Sequence, residues 1–173
     1  MITLQARNHP LLKCKQHRLH QLDCQAFVQL LDRSGGACEV CGMEWDLTVR
    51  AGRPQIEHDH ASPIWAVRGL LCYSCNGRLG RIEAGQLDPE AAFTRYLDNA
   101  WYRTDGAEIY RARAMAWMAP SARVDRDMAA AAMFSGPVPE GYLRIQEARE
   151  AWCQRYLEDQ RLYMSAAMAW PAK

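Results

Sequence analysis

Apolar positions recur at helical spacing over most of the chain. Between residues 22 and 33 they return every three to four positions, which predicts an amphipathic helix that Ser34-Gly35-Gly36 would end. Asp88-Pro89-Glu90 combines a capping carboxylate, a proline and an acid, and it predicts the start of a helix that could run to about Tyr102. Helical patterns also cover residues 107–118, 121–134 and 140–169. The chain is therefore expected to be mainly helical.

Strand character is limited to one short stretch. Leu47–Arg50 and Gln55–His60 are strand candidates, and Ala51-Gly52-Arg53-Pro54 between them has the composition of a turn. This pattern predicts a β-hairpin. Another helix is expected from Asn76 to about Glu83. We therefore expect an α+β fold, mainly α, with a small hairpin and helical extensions.

The composition is that of an ordinary globular protein. The 173 residues are 49% hydrophobic and 24% charged, with a formal net charge of +1. No apolar run is long enough to span a bilayer, and the first ten residues lack the charged-then-apolar order of a signal peptide. A cytoplasmic protein is expected. Without an export signal, the seven cysteines favour metal ligation over a disulfide framework.

The small net charge hides one local asymmetry. Four basic residues lie in the first 21 positions, ahead of the first acidic residue: Arg7, Lys13, Lys15 and Arg18. A basic arm of this kind can neutralise DNA phosphates. A solvated polar terminus has the same composition, and both interpretations stay open.

The cysteines supply the most informative spacing. Cys38 and Cys41 form one C-x2-C pair, and Cys72 and Cys75 form a second about thirty residues later. Two such pairs can donate four thiolates to one tetrahedral Zn²⁺. The ion would be a structural scaffold that draws the ends of the intervening segment together.

The segment between the pairs carries residues suited to hydrolysis. Glu57-His58-Asp59-His60 lies inside it, and Asn76 directly follows the last cysteine. Carboxylates and amide oxygens hold hard cations such as Mg²⁺ or Mn²⁺, and a histidine has the pKa of a general base near neutral pH. Arg68, in the same segment, could hold a DNA phosphate bidentately or pair with an acidic side chain within the fold.

Three runs together resemble a known family: Gly36-Ala37-Cys38-Glu39-Val40-Cys41-Gly42, then Glu57-His58-Asp59-His60, then Val67-Arg68-Gly69-Leu70-Leu71-Cys72-Tyr73-Ser74-Cys75-Asn76. They are similar to the phage recombination endonuclease VII family, which belongs to the HNH or ββα-metal nucleases. The similarity covers about residues 22–85. It implies a structural zinc on the cysteines and a β-hairpin followed by a helix.

The resemblance also implies roles for individual residues. His58 would be the general base and His60 would assist it. Glu57 and Asn76 would bind Mg²⁺. Position 57 departs from the family, which carries Asp there, so three outcomes stay open: an adapted site, a site in which Asp59 substitutes as the ligand, or weak activity. The loop from His60 to Val67 also lacks the short Gly-containing link that is common in the family.

By resemblance, the chain is expected to cleave branched DNA such as four-way (Holliday) junctions, as a homodimer built through helices. If it is phage-encoded, it would act in the host cytoplasm, with no membrane association. The predicted parts are an N-terminal basic arm (residues 1–21), a zinc-bound nuclease core (22–87) and a helical C-terminal region (88–173). Two alternatives remain. One is a nicking or packaging-associated HNH enzyme without branch preference, and the other is a catalytically silent zinc module that binds DNA or protein.

Overall fold

The computed structural model describes residues 14–46, 48–49, 52–134 and 136–169. The chain divides into two compact units. The first comprises residues 1–59 and 67–106, and the second comprises residues 60–66 and 107–173. The architecture is mainly helical with one two-stranded antiparallel sheet, which confirms the predicted α+β class.

The first unit begins with helices α1 (Cys14–Leu19) and α2 (Cys24–Ser34). The Asp23 carboxylate caps α2 by accepting a hydrogen bond from the Ala26 amide at 2.7 Å. Gly35 ends the helix in the left-handed conformation, with φ of 59°, which glycine adopts without steric cost. The buried face of α2 is apolar and contains Ala26, Phe27, Leu30 and Leu31. The helix predicted over residues 22–33 is confirmed to within two residues.

The hairpin of the structure is not the predicted one. Strand β1 (Gln55–His58) pairs antiparallel with β2 (Val67–Leu71), and not with Leu47–Arg50. All five residues of β2 are buried, so its backbone N–H and C=O groups need hydrogen-bond partners inside the core, and pairing with β1 supplies them. The Asp46 carboxylate instead accepts hydrogen bonds from both the amide and the hydroxyl of Thr48, at 2.9 and 2.6 Å. Such local bonds favour a turn over a strand. Leu47 and Arg50 lie outside the described residues.

Two helices follow the hairpin. Helix α3 (Tyr73–Glu83) begins three residues before the predicted start, because Cys72 occupies its N-cap position. Helix α4 (Ala91–Asp98) is shorter than predicted: Asp88 does not cap it, and a separate 3₁₀ turn (Trp101–Arg103) replaces its expected last turn. The chain leaves the helix after Asp98, where the Asn99 side-chain amide donates from Nδ2 to the Arg95 carbonyl at 2.9 Å.

Helix α4 contributes to the core around the cysteines. That cluster of buried residues contains Cys38, Leu71, Cys72, Cys75, Leu79, Phe93 and Tyr96. Phe93 and Tyr96 are 1% and 4% exposed, although they lie in the region predicted as a separate helical extension. The burial of these two rings fixes α4 against the hairpin and α3.

The second unit contains helices α5 (Ala107–Met118), α6 (Pro120–Met133) and α7 (Glu140–Ala169). Each boundary lies within one residue of its prediction. Helices α5 and α7 pack through buried side chains, namely Tyr110, Ala114, Trp152, Cys153 and Tyr156. The Tyr156 hydroxyl donates to the Ala107 carbonyl at 3.0 Å. Within the described part of the chain, no helix combines the length and the apolar content that crossing a bilayer requires.

Candidate functional site

The four cysteines of the two C-x2-C pairs converge in the first unit. Their sulfur atoms all lie within 4.8 Å of one another, and Cys41 Sγ is 3.9 Å from Cys72 Sγ. A tetrahedral zinc with Zn–S bonds of about 2.3 Å would place its sulfurs about 3.8 Å apart. Gly42, at φ of 71°, turns the chain after Cys41, and its amide donates to the Cys38 carbonyl at 2.8 Å. The cluster could therefore hold a zinc ion.

The charge state of these thiols depends on their burial. Burial raises the pKa of Cys38 and of Cys75. Cys41 is exposed. Burial is the largest single influence on its pKa and raises it, but hydrogen bonds from the Met43 amide and from neighbouring thiols together outweigh burial and lower the pKa of Cys41. Zinc is bound by thiolates, so a dication at this place would offset the burial that disfavours them.

The hairpin contains an irregularity at the acidic run. Glu57 pairs with Gly69 but His58 pairs with Val67, so Arg68 is an extra residue on β2. A β-bulge of this kind bends the strand and redirects the side chains next to it. Regular alternation would send Glu57 and His58 to opposite faces. The extra residue is on β2, opposite these two residues, and the bulge lets the Arg68 side chain reach Glu57, whose own partner in the strand pairing is Gly69.

The Arg68 guanidinium forms ion pairs with three carboxylates. Its Nη1 lies 3.1 Å from Glu57 Oε1, and its Nη2 lies 3.2 Å from Asp59 Oδ1 and 2.5 Å from Glu83 Oε1. The Arg68 side chain is 7% exposed. Of the two interpretations that the sequence left open for Arg68, the structure contains the ion pair within the fold. We call Arg68, Glu57, Asp59 and Glu83 the Arg68 cluster.

Glu57 is the most deeply buried member of the Arg68 cluster, at 3% exposure. Burial raises its pKa to about 7, although the Arg68 guanidinium and the Tyr96 hydroxyl both act to lower it. The Tyr96 hydroxyl donates to Glu57 Oε2 at 3.1 Å, so each carboxylate oxygen has a donor. These two contacts fix the orientation of the carboxylate.

His58 has a neighbour that the sequence did not reveal. Its ring centroid is 5.1 Å from that of His20, with the planes at 60°. Burial lowers the pKa of His20, which favours the neutral ring. His20 was assigned to the predicted basic arm, and no local pattern relates it to residue 58, because the contact depends on how the turn after α1 folds.

Helix α3 carries the remaining candidates of the first unit. Asn76 is half-buried in the first turn of α3, where its backbone amide donates to the Cys72 carbonyl at 2.9 Å. Glu83 lies seven residues later, on the same helical face. Glu83 is not among the residues predicted from the sequence, although its seven-residue spacing from Asn76 places both on one helical face. His60 is exposed and is the first residue of the second unit.

The Arg68 cluster has an excess of negative charge. Three carboxylates surround one guanidinium, so ionisation of all three would leave two negative charges without a counter-charge in the cluster. A divalent cation would balance them, and carboxylate oxygens are ligands that hard cations prefer. With His58 between Glu57 and Asp59 in the chain, the arrangement can bind a cation and exchange a proton at neighbouring positions.

The chain matches the model of a known protein family. The family model for recombination endonuclease VII matches residues 13–100, just over half of the chain. The matched span contains all four clustered cysteines, the hairpin, α3 and α4. No curated protein and no solved structure matches the chain. The family match agrees with the convergence of the cysteines and with the acidic and histidine groups at the hairpin, and the chain belongs to the recombination endonuclease VII family of nucleases.

Proposed function

We propose that this protein is a metal-dependent DNA endonuclease that hydrolyses phosphodiester bonds in branched DNA. His58 is the general base and His60 supports it. The observation that carries the proposal is the Arg68 cluster: three carboxylates around a single guanidinium, two of them flanking His58 in the chain. Family membership supplies the reaction class, which is nuclease chemistry.

The proposed ligands of the catalytic cation, Mg²⁺ or Mn²⁺, are Glu57 and Asn76, with Asp59 as the alternative carboxylate. Each carboxylate oxygen has about two lone pairs. Glu57 can therefore keep its bonds to Arg68 and Tyr96 and still offer a lone pair to a cation. Metal-binding carboxylates commonly have such outer hydrogen bonds. A bound cation would stabilise charge on the phosphate and the leaving oxygen.

The surroundings of His58 support its role as the base. A base must gain a proton, and a positive neighbour would oppose that gain. The ring of His20 lies 5.1 Å from that of His58, and burial favours the neutral form of His20. A protonated His58 would also lie next to two carboxylates in the chain, which favour positive charge. The same two carboxylates pair with Arg68 and would hold the proposed cation, so they offset part of the positive charge that opposes protonation of His58.

We further propose that zinc occupies the four-cysteine cluster as a structural ion. Residues 22–87 form the nuclease core, the helical region 88–173 supplies a homodimer interface, and the basic arm 1–21 contacts DNA phosphates. Four-way junctions are the proposed preferred substrate. The convergence of the four cysteines supports the zinc, and the family match supports a DNA substrate.

A substrate comparison tests the function. Equal amounts of four-way junction, duplex and single-stranded DNA would be incubated with the protein in Mg²⁺, Mn²⁺ or EDTA. Metal-dependent cutting that favours the junction supports the proposal. Equal nicking of junction and duplex would support a nuclease without branch preference. DNA binding without cleavage in either metal would identify a silent zinc module.

Replacement of His58 tests its proposed role as the general base. His58→Ala should bind junctions normally and cleave them about 10²- to 10⁴-fold more slowly, the usual contribution of a general base. Gln154→Ala, at an exposed position on α7, is the matched control and should cleave like the wild type. Full cleavage by the His58 variant would transfer the role to His60.

A further inference from the structure

A second histidine packs against the proposed general base. The centroids of the His20 and His58 rings are 5.1 Å apart and the ring planes make an angle of 60°. This is an ordinary packing geometry for two tilted rings. His20 lies in the turn between α1 and α2, both residues belong to the first unit, and both are half-buried. The contact therefore joins the turn before α2 to the end of β1.

Backbone hydrogen bonds fix the turn that carries His20. The amides of His20 and Leu22 both donate to the His17 carbonyl, at 3.0 and 3.1 Å, and the Gln21 amide donates to the Arg18 carbonyl at 2.9 Å. Gln21 has φ of 57°, in the left-handed region that residues other than glycine rarely adopt. The turn thus holds one residue in an unfavourable conformation, and backbone strain of this kind clusters at functional sites.

The His17 side chain anchors the same turn to α2. Its ring is 0% exposed and stacks on that of Phe27, with 5.1 Å between the centroids. His17 Nδ1 lies 2.8 Å from the Leu22 carbonyl oxygen. A carbonyl oxygen can only accept, so Nδ1 carries the hydrogen of this bond. The side chain on one side of His20 and the carbonyl on the other are therefore tied together, and the backbone of His20 has little freedom to move away from His58.

The ring of His58 needs a restraint that its strand does not supply. Pairing with Val67 fixes the backbone of His58 at the end of β1. The ring itself can still turn, because rotation of a planar group about the bond that joins it to Cβ has only broad preferences. A general base must lie within hydrogen-bond reach of the proton that it takes, and a misplacement of about 1 Å can lower a rate about a hundredfold.

We propose that His20 is a positioning residue, whose ring holds the imidazole of His58 in the orientation in which it acts as the general base. This inference rests on the proposed nuclease function. Packing of one ring on the other is the property that the role requires, so another flat ring at position 20 would serve. Burial lowers the pKa of His20, and a ring that is neutral at neutral pH does not repel the proton that His58 takes.

The contact is tested first in the free protein. The sample is full-length, zinc-loaded protein without DNA or added Mg²⁺, with its histidine rings labelled with ¹³C and ¹⁵N. Wild type should show nuclear Overhauser effects between the ring protons of His20 and His58. The ring signals of His58 should change in His20→Ala and stay unchanged in Gln25→Ala, a control at an exposed position on α2. Absence of the effects between the two rings in the wild type would overturn the inference.

The role is tested by separating DNA binding from the rate of cleavage. Affinity for a four-way junction would be measured in Ca²⁺, and single-turnover cleavage in Mg²⁺ at saturating protein. His20→Ala should bind the junction like the wild type and cleave it about 10- to 100-fold more slowly, as expected when a residue that orients a reacting group is lost. His20→Phe keeps a flat ring and should cleave close to the wild-type rate, as should Gln25→Ala. Equal losses in His20→Ala and His20→Phe would overturn the packing role.

A double variant separates positioning from a general effect on the fold. If His20 acts only through His58, its removal should have no further effect once the base is absent. His20→Ala in the His58→Ala background should therefore cleave at the rate of His58→Ala alone. A further fall in the rate would show that His20 acts independently of His58. Weaker junction binding by His20→Ala, with an unchanged rate at saturation, would make His20 a DNA contact. Either result would overturn the inference.

The outcomes also distinguish the two proposals. If the wild type cleaves the junction and His58→Ala does not, but His20→Ala cleaves at the wild-type rate, only the inference about His20 fails. If His58→Ala cleaves like the wild type, the proposed base fails and His20 has no base to position. The ring contact in the free protein is measured without DNA, so its presence or absence is decided separately from nuclease activity.

Discussion

The Tyr96 hydroxyl on α4 donates a hydrogen bond to Glu57 Oε2 on β1 at 3.1 Å, across 39 positions of the chain. Both side chains are buried, at 4% and 3% exposure. The bond joins the helix that packs against the four-cysteine cluster to the acidic group of the candidate site. Burial raises the pKa of Tyr96 far above its ordinary value, so the hydroxyl keeps its proton and acts as a donor.

Tyr96→Phe should destabilise the fold. The change removes the donor to Glu57 Oε2 and leaves a buried carboxylate oxygen without its partner, at a cost of about 1–3 kcal/mol. Urea denaturation would measure the difference. Tyr102→Phe is the control, because the Tyr102 hydroxyl accepts from Arg103 Nε at 3.0 Å and the exposed Arg103 can turn to water instead. Equal stability losses in the two variants would contradict the importance of the Tyr96–Glu57 bond.

Gly69→Ala should also destabilise the protein. A Cβ at this position would lie 2.4 Å from Glu39 Oε1 and 2.8 Å from Tyr96 Cε2. The Glu39 carboxylate cannot withdraw freely, since it accepts from the Leu70 amide at 2.7 Å and pairs with Arg33 at 3.2 Å. Overpacking of this kind costs about 1–3 kcal/mol.

Gly80→Ala is the matched control for the Gly69 variant. Gly80 lies inside α3, and a Cβ there would meet no atom within 4 Å. Replacing a helical glycine by alanine should stabilise the protein by about 0.5–1 kcal/mol. Thermal denaturation should therefore give a lower melting temperature than the wild type for Gly69→Ala and a higher one for Gly80→Ala. A Gly69→Ala protein as stable as the wild type would show that the contacts at Gly69 are loose.

Zinc removal should unfold the first unit. Cys72→Ser removes one of four proposed ligands and should lower the zinc content from one ion per chain toward zero, with loss of folded structure, because zinc binding and folding are coupled in such sites. Metal analysis and circular dichroism would measure both effects. Cys153→Ala, a buried cysteine outside the cluster, should retain one zinc. A full zinc content in Cys72→Ser would refute the assignment.

The identity of the carboxylate ligand can be decided with two neutral substitutions. Removal of an outer hydrogen-bond partner of a metal ligand lowers activity roughly ten- to hundredfold. If Glu57 itself binds the cation, the cleavage rate of Glu57→Gln should fall by more than that. The cleavage rate of Asp59→Asn should fall by a smaller factor, because this change removes only one ion pair of Arg68. Cleavage rates over a Mg²⁺ titration would show both effects. The reverse order would make Asp59 the ligand and Glu57 a residue that fixes Arg68.

Local sequence patterns determined the cysteine cluster, the helices of the second unit and the family of this protein. The two C-x2-C pairs predicted the convergence of four cysteines, because metal chemistry imposes short spacings that are visible in one dimension. The three helices of the second unit matched their apolar periodicity to within one residue. The residues of the family resemblance also identified the nuclease family. In each case the deciding interactions connect residues that are near one another in the chain or carry a distinctive chemistry.

Tertiary structure decided the rest. The strand that pairs with β1 follows it as β2, because all of β2 is buried in the core. In the candidate before β1, Leu47–Arg50, the Thr48 amide donates instead to the side chain of the preceding Asp46 in a local turn. The position of His20 beside His58, and of Tyr96 beside Glu57, depends on the packing of distant helices. No spacing rule relates such residues, since their contact is a result of which apolar faces are buried together. The sequence specified the groups of the candidate site, and the positions of His20 after α1 and of α4 beside the hairpin determined their neighbours.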